Sequence, residues 1–556
     1  MRLYIVLAIL FLYSAHANNV QDQIEGIQRL QAEKHIFEAQ QEHRRANKPP
    51  VYTELQKQML KHGGSSGKCI HIHSIDTHAV TRISASTLKR IKKRYLNRCD
   101  TIDDLQNLMT EINNVYIEKA YITSRAYLKA QNISTGHLVI SAMEGKIESI
   151  VGEGVQTALV FPFAHGNYLN LRDLEVGIEQ LSRLQSMQAS MALVPGEKEG
   201  YSKVLIKGQK TGFPFHGSIG VNNHGTVKSG KYQWSGSLGW DNPLGLNDLL
   251  TFSANTTNKQ DPRNRSRGYS FRYGLPISRA YFEYSYSHFK YNQVVNGLNK
   301  DYDSKGISKS HQVKMEYKLF HTKQQKGSLE FSLTRKRNDN YLAGVYLNTS
   351  SSVLTIARMA YTHSFTGKTW DGYATFTYHK GLNILGAKTG TKASPSFSKL
   401  TLDLSYNKKL IEESNASLLY NFSLHGQYAK AGILGAEQMG AGGPYSVRGF
   451  KSAGQISGNK GFYVRNELTL NQRFALGTFS PYVALDFAKI AHNKQSHGGH
   501  ILGGAFGVRL QLKSLSIDVF KSLPIIDSNK VTYKPNGDKV VKKNNGFLGL
   551  SLSYKF

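Results

Sequence analysis

Gly440-Ala-Gly-Gly-Pro-Tyr-Ser-Val-Arg-Gly-Phe450 decides how the rest of the chain reads. It lies in a segment, roughly 430–460, that is rich in Gly and Ala and carries little strand pattern. Strong alternation of apolar and polar residues flanks it, from Leu418 to Tyr428 before and from Gly461 to Phe474 after. Glycines let a main chain fold back tightly and approach another backbone closely. One cation, Arg448, stands at the centre. A connection this long that carries its own order is usually functional.

Outward from this loop, period-two alternation continues from about Lys210 to Phe556. It predicts sixteen strands, the first beginning near Phe215 and the last near Gly546. The connections alternate in length. Short ones include Asn242-Pro243-Leu244-Gly245, Leu275-Pro276-Ile277, Phe365-Thr366-Gly367, Glu412-Glu413-Ser414 and Ala475-Leu476-Gly477. Long polar ones are Asn258 to Arg267, Tyr291 to Ile307, Asn383 to Ser396, Lys430 to Lys460 and Ile526 to Asn545. Short turns on one side and long loops on the other are the signature of a transmembrane β-barrel. In the last strand Leu548, Leu550, Leu552, Tyr554 and Phe556 share one face, with Gly549, Ser551, Ser553 and Lys555 on the other. After the N-terminus no run approaches 18 apolar residues, so any membrane crossing is by strands closed into a barrel.

Residues 1–17 read as a signal peptide: Arg2, an apolar run from Leu3 to Tyr13, and the cleavage pattern Ala15-His16-Ala17. Residues 18–47 predict a polar helix whose thin stripe of Val20, Ile24, Ile27, Leu30 and Phe37 suits a water-filled pore better than a core. Pro49-Pro50 ends it, and residues 48–68 form a linker containing Gly63-Gly64-Ser65-Ser66-Gly67. Residues 69–144 read as one α+β unit: strand Cys69–Ile75, helices Ser86–Cys99 and Ile102–Lys119, strands Tyr121–Ala130 and Gly136–Met143. Residues 145–207 repeat that order: strand Lys146–Val151, helices Val155–Phe161 and Leu171–Leu184, strands Gln188–Pro195 and Tyr201–Lys207. Cys69 and Cys99 are the only cysteines, and beyond a signal peptide the compartment is oxidising, so a disulfide between them is expected. The chain-entropy model assigns such a bridge roughly 3–4 kcal/mol.

Composition narrows the function classes. The chain has 31 Tyr and 25 Phe but 3 Trp, a level of aromatics that suits strand faces and interfacial girdles. The formal charge of +31 is spread over the whole chain and no nucleic-acid module is present, so no nucleic-acid partner is expected. The excess suits an acidic passenger or lipid phosphates at the outer surface. His71 and His73 share a strand face, but two histidines do not make a metal site. No nucleotide loop, G-x-S-x-G elbow or H-E-x-x-H helix is present, so neither an enzyme nor a cofactor is expected.

Ser446-Val447-Arg448-Gly449-Phe450 resembles the tip of the inward-folded loop in outer-membrane transporters of the two-partner secretion family. The tandem β-α-α-β-β units resemble POTRA domains. The final strand, with Tyr554 and Phe556, resembles the signal that the barrel-assembly machinery reads. The resemblance implies an all-β membrane barrel of sixteen antiparallel strands over residues 208–556. Two POTRA-like domains (69–144 and 145–207) and a plug helix (18–47) precede it, and loop 430–460 folds inward. The loop arginine of this family pairs with an aspartate on the barrel wall, in a strand motif that Tyr482-Val483-Ala484-Leu485-Asp486-Phe487-Ala488 resembles, with Ala488 where the pattern often has Gly. Asp486 is therefore the expected partner of Arg448, and Glu467 a second carboxylate. The implied function is passage to the surface, through a monomeric pore, of a large and mostly unfolded secreted protein such as a haemolysin, adhesin or contact-dependent growth inhibition toxin. The expected localisation is the bacterial outer membrane, with its lipid as a further partner. A barrel-assembly insertase shares the loop motif but usually carries three to five POTRA units and no plug helix. A general porin lacks periplasmic domains.

Overall fold

The computed structural model describes residues 26–44, 53, 55–60, 69–225, 230–257, 263–296, 300–390, 393–430, 432–450, 455–492, 496, 498–529, 531–533, 539–541 and 546–556. The expected signal peptide, the two prolines and the glycine-rich part of the linker lie outside the described residues.

Successive side chains of a strand point to opposite faces, so alternation in sequence becomes one apolar and one polar face of a sheet. Among the described residues sixteen long strands close into one barrel, each antiparallel to the next. The last strand, Leu548–Lys555, returns to the first, Phe215–Asn222, through a short seam that pairs Ser551–Lys555 with Ser218–Asn222. The outward face is apolar: Leu548, Leu550, Leu552, Tyr554 and Phe556 are all exposed, while Gly549 between them is buried. Phe556 exchanges backbone hydrogen bonds with Gly217 (2.9 and 3.1 Å). Two expected connections differ. Leu275-Pro276-Ile277 belongs to the fourth strand (Arg265–Ile277), and the turn is Ser278-Arg279, with Ser278 at φ 54°. Tyr291 to Ile307 is mostly strand, because the fifth (Ala280–Asn296) and sixth (Asp301–His321) continue their pairing and bury Tyr291 and Val295.

Residues 26–44 form helix α1 inside the barrel. The first unit contains β1 (Ile70–His71), β2 (Ser74–His78), α2 (Ala85–Lys93), β3 (Cys99–Asp100), α3 (Ile102–Glu118), β4 (Arg125–Leu128) and β5 (His137–Met143). Its sheet runs β2-β5-β4, with β2 parallel to β5. Thr101 and Asp104 form a reciprocal capping box at the start of α3. Leu105, Leu108, Ile112 and Tyr116 then recur at helical spacing and bury into the unit's core. Helix α2 stops at Lys93, short of the expected Cys99. Asn97 adopts a left-handed φ of 57°, and Cys99 pairs with His71 in a two-residue ladder. A disulfide joins Cys69 to Cys99 across 30 residues, with the Cα atoms 5.3 Å apart. Glu144 ends the unit and accepts from the Thr81 amide (2.6 Å), the Arg82 amide (2.7 Å) and the Tyr116 hydroxyl (2.9 Å). Burial pushes its pKa up, but these hydrogen bonds outweigh that and hold the carboxyl below its ordinary value.

The second unit contains β6 (Lys146–Glu153), α4 (Leu171–Leu181), β7 (Met187–Pro195) and β8 (Tyr201–Lys210), in the order β6-β8-β7. The helix expected at Val155–Phe161 is absent. Pro162 disfavours helical geometry in the residue before it, and the segment instead packs as turns over α4, with the Phe161 ring against Gly177. The second unit sits on the short turns of the barrel. The Ser186 amide and hydroxyl both donate to Asp241 Oδ2 (2.8 Å each), and Arg183 donates to the Asn247 carbonyl (3.0 Å) and the Tyr281 hydroxyl (3.1 Å). The domains therefore lie at one end of the barrel and the long loops at the other.

Candidate functional site

The long loop turns back into the lumen because its base pairs with itself. Met439–Ala441 and Ile456–Gly458 form a small antiparallel ladder. Beyond it the chain tightens at Gly442, whose φ is 115°, and the Gly443 amide donates to the Val447 carbonyl (3.2 Å). Val447 and Phe450 bury among Met439, Ile456, Tyr463, Ile490 and Ile501, which fixes the tip against the wall. At the base of the loop Glu437 accepts from Lys399 (2.9 Å) and Lys336 (3.4 Å) of the wall.

Gly449 takes φ 119°, and a Cβ there would lie 2.6 Å from the Leu523 carbonyl oxygen and 2.9 Å from Gly503 Cα. A Cβ on Gly503 would lie 1.7 Å from the Arg448 carbonyl oxygen. The tip therefore meets the wall backbone to backbone, which two glycines permit.

That contact aims Arg448 at the twelfth (Lys460–Phe474) and thirteenth (Gly477–Ile490) strands. Its Nε donates to Asp486 Oδ2 (2.7 Å) and its Nη2 to Asp486 Oδ1 (2.8 Å), a two-pronged pair. The Arg448 amide also donates to Oδ2 (2.9 Å). Nη1 donates to Glu467 Oε2 (2.5 Å), and Nη2 also reaches the Asn466 carbonyl (3.3 Å). Asp486 faces inward and is 0% exposed, while Val483 and Leu485 on the opposite parity are exposed outside. The structure thus brings Arg448, Asp486 and Glu467 together.

Two members of this network were not read from the sequence. Arg509 on the fourteenth strand (Gly499–Leu512) donates to both oxygens of Glu467 (2.6 and 2.9 Å). Its Nε reaches Asp518 (3.3 Å), which also accepts from the Tyr482 hydroxyl (3.1 Å). The signal for both was inward parity, since Arg509 follows Gly503, Ala505 and Gly507 on the lumen side. A third arginine, Arg465, donates to the Pro444 carbonyl (3.0 Å) and stacks 4.9 Å over the Phe37 ring. Arg448 and Arg509 therefore meet three carboxylates in a confined lumen, as buried charges require, while Arg465 is held by a carbonyl and a ring.

Phe37 belongs to α1, and the loop is also where α1 is held. Ser446 Oγ donates to Glu33 Oε2 (2.8 Å), and the Phe37 and Tyr445 rings are 5.7 Å apart. Toward the barrel wall α1 donates from Gln40 to Asp403 (3.0 Å) and from Arg44 to Ser405 (2.8 Å), and its Glu42 accepts from Arg272 (3.1 Å). Arg29, Glu33 and Gln40 are all buried. A polar helix in a polar lumen is held by separate hydrogen bonds rather than by an apolar core. Among the described residues no group of three His, Cys, Asp or Glu side chains is arranged to hold a metal ion.

Comparison with known proteins places these features in a lineage. Residues 200–510 match the family model of the haemolysin secretion/activation protein ShlB/FhaC/HecB. Residues 70–145 match the ShlB-type POTRA domain and residues 146–195 a POTRA domain. The chain is 33% identical over 473 residues to the outer membrane transporter CdiB of Dickeya dadantii, covering 83% of each. It is 28% identical to the hemolysin transporter protein ShlB of Serratia marcescens, covering 84% of each. The solved structure of CdiB from Escherichia coli superposes with a TM-score of 0.81 at 27% identity, over 96% of this chain and 98% of that one. With the barrel, both POTRA domains and the inward loop all accounted for, the chain belongs to the ShlB/FhaC/HecB family of haemolysin secretion/activation proteins.

Proposed function

We propose that the protein is an outer-membrane pore that recognises a large secreted partner protein and passes it to the cell surface, the POTRA domains lying in the periplasm at the barrel mouth. The observation that carries this reading is the way the lumen is closed. Helix α1 sits in it, tied to the wall and to the loop tip by scattered hydrogen bonds and the Glu42–Arg272 ion pair, and acts as a removable stopper. The loop, by contrast, is locked to the wall through Arg448, Asp486 and Glu467. The POTRA sheets leave edges at β4 and β7, each paired on one side among the described residues, and an extended passenger segment adds to such an edge. The passenger is a haemolysin, adhesin or contact-dependent growth inhibition toxin, carried by a single chain without nucleotide. The barrel-assembly machinery reads Tyr554 and Phe556 during insertion. An insertase has no use for a helix seated in its lumen, which disfavours that alternative.

The test is a reversible lock. A Cβ on Gly440 would lie 3.6 Å from the Arg29 Cβ, within disulfide reach. The Arg29→Cys, Gly440→Cys protein should insert normally, stop secreting when oxidised and resume when reduced. Secretion at the wild-type rate by the oxidised form would show that α1 need not leave.

A further inference from the structure

The outward face of the fourth to seventh strands carries a row of cations near the loop end. Arg267 lies directly opposite Lys290 across the fourth and fifth strands. Lys309 of the sixth strand lies directly opposite His288 on one side and Arg337 of the seventh strand (Gln325–Leu342) on the other. Parity puts these side chains outside the barrel: Tyr269 and Phe271 share the parity of Arg267, Tyr284 that of Lys290, Val313 that of Lys309 and Leu333 that of Arg337, and all five are exposed.

Like charges directly opposite across a ladder are destabilising. Here two such pairs occur on the two ladders that flank the one between the fifth and sixth strands, Arg267 with Lys290 and Lys309 with Arg337. Among the described residues Arg267, Lys290 and Lys309 form no ion pair, while Arg337 pairs with Asp339 (2.8 Å). The row is therefore short of anions.

Its height identifies what supplies them. Aromatic side chains lie against it and below it: Tyr269 stacks at 5.1 Å on His288, the residue opposite Lys309, and Tyr286 lies 4.8 Å from His311. Aromatic belts mark the level where hydrocarbon gives way to head groups. The POTRA domains occupy the opposite end, so the cations lie at the head-group level of the outer leaflet. A passenger in transit runs through the lumen, on the other side of the wall.

We propose that Arg267, Lys290 and Lys309 bind the phosphates of a phosphorylated lipid in the outer leaflet, its acyl chains lying on the apolar face below. Charge-assisted bonds to phosphate relieve the repulsion between the opposed cations. The inference rests on the outer-membrane placement proposed above, but its test is independent of secretion. Full-length protein is purified in dodecyl maltoside and titrated with lipid A bearing two phosphates, with the same lipid stripped of phosphate, and with inorganic phosphate. Retained lipid is measured by native mass spectrometry. The wild type should retain the phosphorylated lipid and not the stripped one. The R267Q/K290Q/K309Q variant should retain it roughly a hundredfold less well, as expected for three cations near an anionic surface. K408Q, which removes an outward lysine at the POTRA end, should retain it as the wild type does. Heat-dependent gel migration checks that each variant barrel is closed. Equal retention of the stripped lipid by the wild type, or equal retention of the phosphorylated lipid by the triple variant, overturns the assignment. So does binding of free phosphate as tight as that of the lipid, or a secretion defect in the triple variant with lipid retention unchanged.

Discussion

Arg448 makes contacts that no other side chain in the loop replaces. Removing one partner of a buried pair commonly costs about 3–5 kcal/mol because the other charge is left alone, and residual water in the lumen lowers that figure. Arg448→Ala and Asp486→Ala should each cut secretion strongly while the barrel still inserts, measured as passenger in the medium against transporter in the outer membrane. Wild-type secretion by Arg448→Ala would reduce the latch to a passive contact. Gly449→Ala tests the same latch without touching charge. Its Cβ has no room beside the Leu523 carbonyl and its φ is left-handed, so the tip should leave the wall and secretion should fall as far as in Arg448→Ala. At this scale the sequence was legible where a motif was contiguous. The sequence points to Arg448, Asp486 and Glu467, and Arg448 stands within hydrogen-bond reach of both carboxylates. Arg509 and Asp518 were not, because nothing in a strand's own alternation says which inward charge meets which.

Among the elements, strands were easier to read than the small helices. Period-two patterns survive closure into a barrel because the lipid face demands them. Val155–Phe161 has apolar residues at helical spacing, yet tertiary packing over Gly177 holds it as turns. Ser86–Cys99 reads as one helix in the sequence, whereas α2 stops at Lys93 and the chain then turns into β3 through Asn97, whose left-handed angle that residue tolerates but does not announce. The disulfide that follows the break ties β1 to β3, and both strands are only two residues long. Cys69→Ser should therefore loosen the first POTRA domain by about 3 kcal/mol in the chain-entropy model. Faster amide exchange in β1, β3 and the α2–β3 connection of the full-length protein is the expected readout. Unchanged exchange there would mean that the apolar core alone holds this corner.

The barrel is a tube with a polar lumen that holds, among the described residues, one polar helix. Deleting residues 26–44 removes the side chains of Glu33, Phe37, Gln40 and Arg44 from the lumen. Single-channel conductance in planar bilayers should then rise, and an unchanged value would mean that the loop alone sets the bore. The strand number and the two tandem domains were legible from one sequence because both are repeats of a simple pattern. The seating of the second POTRA domain on the barrel turns was not, since Ser186 and Asp241 are 55 residues apart and neither belongs to a motif. Distance along the chain also separates the two things that occupy the lumen. Arg448 finds Asp486 and Glu467 only 38 and 19 residues away, whereas Glu33 meets Ser446 across 413. Near neighbours meet first and remote ones last. The inward loop and its latch are thus local to the last third of the chain, whereas the helix that reaches the same tip comes from the opposite end of the described residues.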